Sequence, residues 1–229
     1  MNLHLSSSPG EQDDIRYIID AARPHLANKH DAMVAYLPMA SLYGEEWLER
    51  TEKFFDGLAH VEMVNTETME LPKMEDIIRR AALVYIPGGN TFLLNHRLHI
   101  SHLMPYLKKK IQSGLPVAAF SAGTILCGPN ILTSKDMNTV ETSYFDGLNV
   151  TPFNFFVHYG EDAYLRAIHD DWLMDYHVFH DNSVIIMADG SGVRIEGRKT
   201  QLIFGDAWLL HKGHEKEKIR PKQLITLLL

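Results

Sequence analysis

The sequence predicts an α/β fold: a mostly parallel sheet flanked by helices, followed by late antiparallel strands. Three observations predict it. Short apolar runs alternate with longer amphipathic stretches as far as residue 120, the pattern of parallel β/α winding. After residue 180 strand-like runs follow one another with no helix between them, which reads as antiparallel pairing. No internal repeat, low-complexity tract or linker interrupts the chain, so residues 1–229 read as a single domain.

Taken in order, "LHLSSS" reads as the first strand, and "EQDDIRYIIDAARPHL" as a helix that starts after Pro9-Gly10 and that Pro24 must kink or end. "AMVAYLP" is the second strand. "EEWLERTEKFFDGLA" follows as a helix whose Trp47, Leu48, Phe54, Phe55 and Leu58 form an apolar stripe. "VEMVNT" and "ALVYIPGG" are strands separated by the helix "KMEDIIRRAA". One long helix, "TFLLNHRLHISHLMPYLKKKIQSG", leads into the buried strand "LPVAAF". Beyond Ser121 come the short pieces "ILTS", "NTV", "GLNV" and "NFFVHYG", then the helix "DAYLRAIHDDWLMDY". "SVIIMADG", "GVRIEG", "TQLIFG" and "AWLLHKG" make the antiparallel series, and the closing "LITLLL" docks as a terminal strand or short helix.

With 45% hydrophobic and 22% charged residues in 229, the chain can bury one sizeable core. A formal net charge of -7 speaks against a phosphate-backbone partner, because affinity for nucleic acid comes from clustered Lys and Arg. The densest basic run, Lys108 to Lys110, lies where cations complement a helix C-terminus. A lone cysteine, Cys127, excludes an intrachain disulfide framework and fits a reducing compartment; its place past the serine turn, in "TILCGPN", reads as a buried thiol. The N-terminus has no signal-like region, and no run approaches the roughly 20 apolar residues of a membrane span. A cytoplasmic protein with no membrane partner is expected, acting as a monomer or homodimer.

In an open parallel sheet, ligands bind where strand C-termini meet helix N-termini. Two such junctions are rich in small residues: "PGGNTF", Pro87 to Phe92, and "FSAGT" around Ser121. Ala119 and Gly123 flank Ser121 at two residues on either side, as a sharp strand-to-helix turn presenting a nucleophile requires. A helix N-cap serine satisfies the same fragment. Gly88 and Gly89 fit two roles as well, backbone donors to an oxyanion or a turn that needs positive φ. Neither junction carries a G-x-G-x-x-G or Walker pattern, which ranks nucleotide binding low.

A serine nucleophile needs a base, and the base an orienting acid. Among 13 histidines, His158 stands out by following an aromatic strand-like run, although a structural histidine fits there too. Asp189 ends a hydrophobic strand before a glycine, where a turn aspartate is equally at home, and Glu196 and Asp136 are rival acids. His96, His99 and His102 recur every third residue of a helix, but steps of about 100° put the outer pair about 120° apart, poor geometry for one ion. His169, His177 and His180 lie among aspartates without a recognised metal spacing.

Together, "IPGGNTFLL", "AAFSAGT", "ILTSKDM", "FDGLNV" and "FVHY" resemble the dipeptidase E (aspartyl dipeptidase) family of serine peptidases, relatives of cyanophycinase. The resemblance is clearest from Val84 to His158 and continues more weakly to Asp189-Gly190. It implies a class I glutamine amidotransferase-like, flavodoxin-like α/β fold. It also implies Ser121 as nucleophile, His158 as base and Asp189 as acid, with backbone N–H groups of Gly88 or Gly89 and Ala122 at the oxyanion. Asn90, Thr91 and Arg166 become candidate substrate contacts, and Asp136 matches a supporting acidic position. The chemistry needs no metal or organic cofactor.

The chain departs from the family pattern at Pro87, Ala119 and Phe156-Val157, and it has Asp where the family has Glu. The arginine-containing segment that follows the histidine in aspartyl dipeptidases is replaced by "GEDAYLRAIHDDW", with Arg166 alone. A site that selects an N-terminal aspartate needs a cation, so aspartate specificity is not expected to carry over. The expected function is hydrolysis of short peptides by acyl transfer to Ser121. The alternatives are an amidase or esterase with the same triad, and a non-catalytic member that holds a small ligand or partner.

Overall fold

The computed structural model describes residues 1–8, 12–27, 31–160 and 162–225. The expected helix start after Pro9-Gly10 and the last four residues of "LITLLL" lie outside them. Eight strands form the larger sheet, in the order β12-β9-β8-β1-β5-β4-β2-β3. Its parallel half comprises β1 (Asn2–Ser6), β2 (Met33–Tyr36), β3 (His60–Met63), β4 (Leu83–Ile86) and β5 (Val117–Phe120). β8 (Gly192–Glu196), β9 (Lys199–Phe204) and β12 (Leu224–Ile225) extend it antiparallel from β1.

The central strands are apolar almost throughout because both faces are covered. Alternate residues point to opposite sides. Ala35, Val84, Ile86, Val117 and Ala119 join the core under α3 (Leu71–Arg80), α4 (Thr91–Ile100), α5 (Met104–Gln112) and α6 (Ala122–Leu126). Val34, Tyr36, Leu83, Tyr85, Ala118 and Phe120 face the other way, with Ile18, Ala22 and Leu26 of α1 (Gln12–Leu26) and with Phe55, next to α2 (Leu48–Phe54). Pro24 falls in the last turn of α1, where the helix ends.

Two expected features differ. The long helix over 91–114 is two helices: His102, at φ 59°, closes α4 in the left-handed conformation, and Pro105 opens α5 in its first turn, where its missing N–H costs nothing. The late strands split between two sheets instead of forming one antiparallel series. β7 (Val184–Ala188) lies in a four-stranded sheet ordered β11-β10-β7-β6, parallel to β6 (Asn154–Tyr159) and antiparallel to β10 (Ala207–Leu210), with β11 (Glu217–Ile219) beyond. The Asp189-Gly190 turn, with Gly190 at φ 66°, carries the chain from β7 across to β8 in the larger sheet. Leu173 and Tyr176 of α7 (Ala163–Phe179) cover the small sheet at Phe156, Tyr159, Val184 and Ile186.

His4 of β1 is buried, with Nε2 3.3 Å from His25 Nε2. Burial first, then the charges of His25 and Arg194, push its pKa down to about 4. A histidine that the fold keeps neutral contributes stability fully present above its unfolded pKa of about 6.5 and lost as pH falls through the folded value. We expect urea unfolding to show about 3 kcal/mol less stability at pH 4 than at pH 7 from this group. The fall should be shallower in His4→Gln, and equal slopes in the two proteins would show that His4 is not the titrating group.

Candidate active site

The C-terminal ends of β1, β4 and β5 converge on one spot, and three short segments meet there. The first is the turn at Ser121. Its backbone sits at φ 46°, ψ -109°, a costly conformation for a residue with a Cβ. The Ser121 N–H donates to Ser6 O at 3.0 Å, fixing the turn to β1. Gly123 must be small: a Cβ there would lie 2.4 Å from Ile86 O. The choice between cap and exposed hydroxyl is plain in the geometry. Ser121 Oγ caps no helix N–H and lies 2.7 Å from His158 Nε2.

The second segment is the glycine turn after β4. A Cβ on Gly88 would stand 3.1 Å from Ser121 Cβ, so the absence of a side chain lets the two backbones approach. Gly89, at φ 135°, passes so close to Ala40 that a Cβ would meet its carbonyl oxygen at 2.4 Å. The Asn90 N–H is bonded to the same oxygen at 2.8 Å. Asn90 caps α4, its Oδ1 accepting from the Leu93 N–H at 2.9 Å, while its amide donates to Met137 O at 2.9 Å. Thr91 is fully buried and gives both its N–H and its hydroxyl to Asp136 Oδ2, at 2.7 and 2.6 Å. Its side chain is therefore out of a ligand's reach.

The third segment is the end of β6. The register with β7 shifts between Phe156 and Tyr159, and His158 adopts φ 54° within that irregularity. This turns the imidazole toward Ser121. Its Nδ1 lies 2.6 Å from Asp189 Oδ1. A carboxylate can only accept, so Nδ1 carries the proton and Nε2 is left to accept from the serine hydroxyl. The shorter aspartate side chain reaches the ring directly, because the β7–β8 turn brings its backbone close.

The rival acids are elsewhere. Asp136 is occupied by Thr91 and by the Ser134 hydroxyl at 3.0 Å. Glu196 pairs in register with Asn2, at the opposite end of β1 from Ser6, and faces Arg194 at 3.6 Å. Arg166 is not brought to the serine: its Nε donates to Gly160 O at 2.8 Å, and its guanidinium lies over the rings of Tyr159 and Trp208. Burial pushes the Cys127 thiol up to about 12 and leaves it inert. Of the histidines considered for a metal, His99 stacks on Tyr144, His169 Nδ1 accepts the Gly160 N–H at 2.9 Å, and His180 stacks on Tyr176.

Two residues that sequence reasoning passed over hold the site together. Ser7 Oγ accepts the His158 N–H at 2.8 Å and lies 3.3 Å from Asp189 Oδ1, linking the histidine's backbone to the aspartate's carboxylate. Lys135 Nζ donates to His158 O at 2.6 Å. Burial lowers the Lys135 pKa, and the charges of Asp189 and Asp136 oppose that shift. The only sequence signal for Ser7 was a run of three serines at the C-terminal end of the first parallel strand, where open α/β sheets gather their ligands.

A cleft of about 440 Å³ opens beside Ser121 and His158. It is walled by Tyr85, Phe120 and, from the α2 region, Trp47 and Phe54. These last two were expected in an apolar stripe against the core. α2 is only seven residues long, so the stripe divides: Phe55 enters the core, Leu48, Phe54 and Leu58 pack against it, and Trp47 is 48% exposed.

Comparison with known proteins places this chain among peptidases. The family model for Peptidase family S51 matches residues 3–203. "Peptidase E" of Nostoc sp. is 30% identical over 203 residues, covering 86% of this chain and 83% of the relative. "Probable alpha-aspartyl dipeptidase" of Drosophila melanogaster is 30% identical over 165 residues, covering 69% and 68%. The crystal structure of a peptidase from an acI-B1 Actinobacterium superposes with a TM-score of 0.73 at 17% identity, covering 99% of this chain and 96% of that one. At that identity the likeness speaks for the fold. Among the described residues no helix is long and apolar enough to cross a membrane.

Replacing Ser7 by Ala leaves the His158 N–H without its acceptor and removes a donor near Asp189. We expect the rate at which a fluorophosphonate labels Ser121 to fall about tenfold, the scale of losing one supporting hydrogen bond. An unchanged labelling rate in a folded Ser7→Ala protein would remove Ser7 from the positioning network.

Proposed function

The chain belongs to Peptidase family S51 and is a serine-type peptidase, and on that premise we propose that it hydrolyses short peptides through Ser121, His158 and Asp189. One observation carries the reading: an unbroken chain of contacts from Ser121 Oγ to His158 Nε2 at 2.7 Å and from His158 Nδ1 to Asp189 Oδ1 at 2.6 Å. That is the reach required of a nucleophile, its base and the acid that orients the base.

Ser121 Oγ attacks the scissile carbonyl carbon while His158 Nε2 takes the hydroxyl proton. The carbonyl oxygen becomes an oxyanion, stabilised by the N–H of Gly88 or Gly89 and that of Ala122. The Ser121 N–H takes no part, since Ser6 O already accepts it. Collapse of the tetrahedral intermediate breaks the C–N bond, and the departing amine takes the proton from His158 Nε2. Water then gives a proton to the same nitrogen and attacks the ester, releasing the acid and restoring Ser121 Oγ–H. Through both halves Asp189 holds the imidazole in one tautomer and stabilises its cation. Asp136, through Thr91, and Asn90, through the α4 cap, hold the glycine turn instead of touching substrate.

The experiment is hydrolysis of a mixed dipeptide and tripeptide library by the wild-type protein and by Ser121→Ala. Loss of an attacking serine lowers kcat by on the order of 10⁴-fold or more. We expect cleavage by the wild type to disappear in the variant. Cleavage that survives in Ser121→Ala would remove Ser121 as nucleophile.

A further inference from the structure

The cleft beside Ser121 has a chemistry that the hydrolytic machinery leaves unused. Its walls are aromatic, and neither aspartate nor glutamate lines it. Arg50 is its one lysine or arginine. The Arg50 guanidinium lies over the rings of Trp47 and Phe54, 5.4 and 5.5 Å from their centroids. Among the described residues it has no ion pair and no hydrogen bond, although the surface carries many carboxylates. The Tyr85 hydroxyl, in the same cleft, also has no hydrogen-bond partner among the described residues. A permanently charged, exposed group held over two rings at the mouth of an apolar cleft is a ready receptor for a planar anion.

We propose that this cleft binds the residue released by the reaction: the C-terminal residue of a short peptide, with an aromatic or large aliphatic side chain between the rings and its free α-carboxylate on Arg50. The inference rests on the peptidase reading above. A cleft of about 440 Å³ lies within the range of about 300–1,000 Å³ in which proteins enclose small organic ligands. Its apolar walls favour a side chain of matching character, because removing apolar surface from water is favourable. An α-amino acid with such a side chain supplies the carboxylate from the same residue. His158, which must protonate the departing amine, stands in the cleft wall, so the residue bearing that amine extends into this side of the site. An N-terminal aspartate would answer Arg50 but leave the aromatic walls unfilled.

The test compares hydrolysis of Ala-Phe, Ala-Phe amide, Phe-Ala and Asp-Ala by the wild type and by Arg50→Gln. Calorimetry of Ala-Phe binding to Ser121→Ala and to Ser121→Ala/Arg50→Gln runs beside it. Ala-Phe should be the best of the four. Its advantage in kcat/KM over Ala-Phe amide should shrink about tenfold in Arg50→Gln, chiefly through KM, as expected for one charge-assisted contact. Preference for Phe-Ala or Asp-Ala, or an advantage that Arg50→Gln leaves intact, overturns the assignment while leaving the peptidase reading standing. If the wild type cleaves none of the four but Ser121→Ala binds Ala-Phe with Arg50-dependent affinity, the short-peptide reading fails while the cleft's place for an aromatic residue with a free carboxylate holds. Neither cleavage nor binding overturns both.

Discussion

The site depends on two residues held where their side chains make the backbone costly: Ser121 at φ 46° and His158 at φ 54°. Each such conformation costs on the order of 1–3 kcal/mol and persists only where the surroundings leave the chain no alternative. The end of β1 supplies that restraint for both. Ser6 O receives the Ser121 N–H and the Thr124 hydroxyl, and Ser7 Oγ receives the His158 N–H. One strand terminus thus fixes the serine and the histidine relative to each other, though they come from different sheets.

That dependence explains why β1 sits where it does. It is the boundary between the two halves of the larger sheet, parallel to β5 on one side and antiparallel to β8 on the other. β5 delivers the serine turn, and the chain entering β8 has just passed through Asp189. The Ser6 hydroxyl bonds Ser191 O at 3.0 Å, and the Ser7 N–H bonds the same oxygen at 3.1 Å, tying the acid's turn to the same terminus. Core packing contributes by rigidity: Leu3 and Leu5 are fully buried, so the strand end cannot drift.

The periphery follows a different logic. On the β4 side, buried polar contacts hold the glycine turn through Thr91 and Asp136, leaving Gly88 free of any side chain between it and Ser121. On the α2 side, a short helix exposes rings and an arginine to the cleft. Trp47, Arg50 and Phe54 thus reach the cleft from a different element than Ser121 and His158, so this wall can vary without moving those two side chains.

The sequence by itself determined the winding of the parallel half and the two junctions at Gly88-Gly89 and Ser121, because apolar period and small residues at strand ends are local properties of the chain. The family resemblance added His158 and Asp189, for each of which the residues alone had favoured a structural reading. Only the tertiary structure decided that His158 meets the serine, and that Asp189, not Glu196 or Asp136, meets the histidine. The partners lie 37 and 31 residues apart, and a turn between two sheets brings them together. Ser7 is 151 residues from His158, and no local pattern encodes such a contact. Trp47 had the spacing of a core residue; whether an apolar side chain enters a core or walls a cleft depends on what packs opposite it, and hydrophobic periodicity carries no information about that.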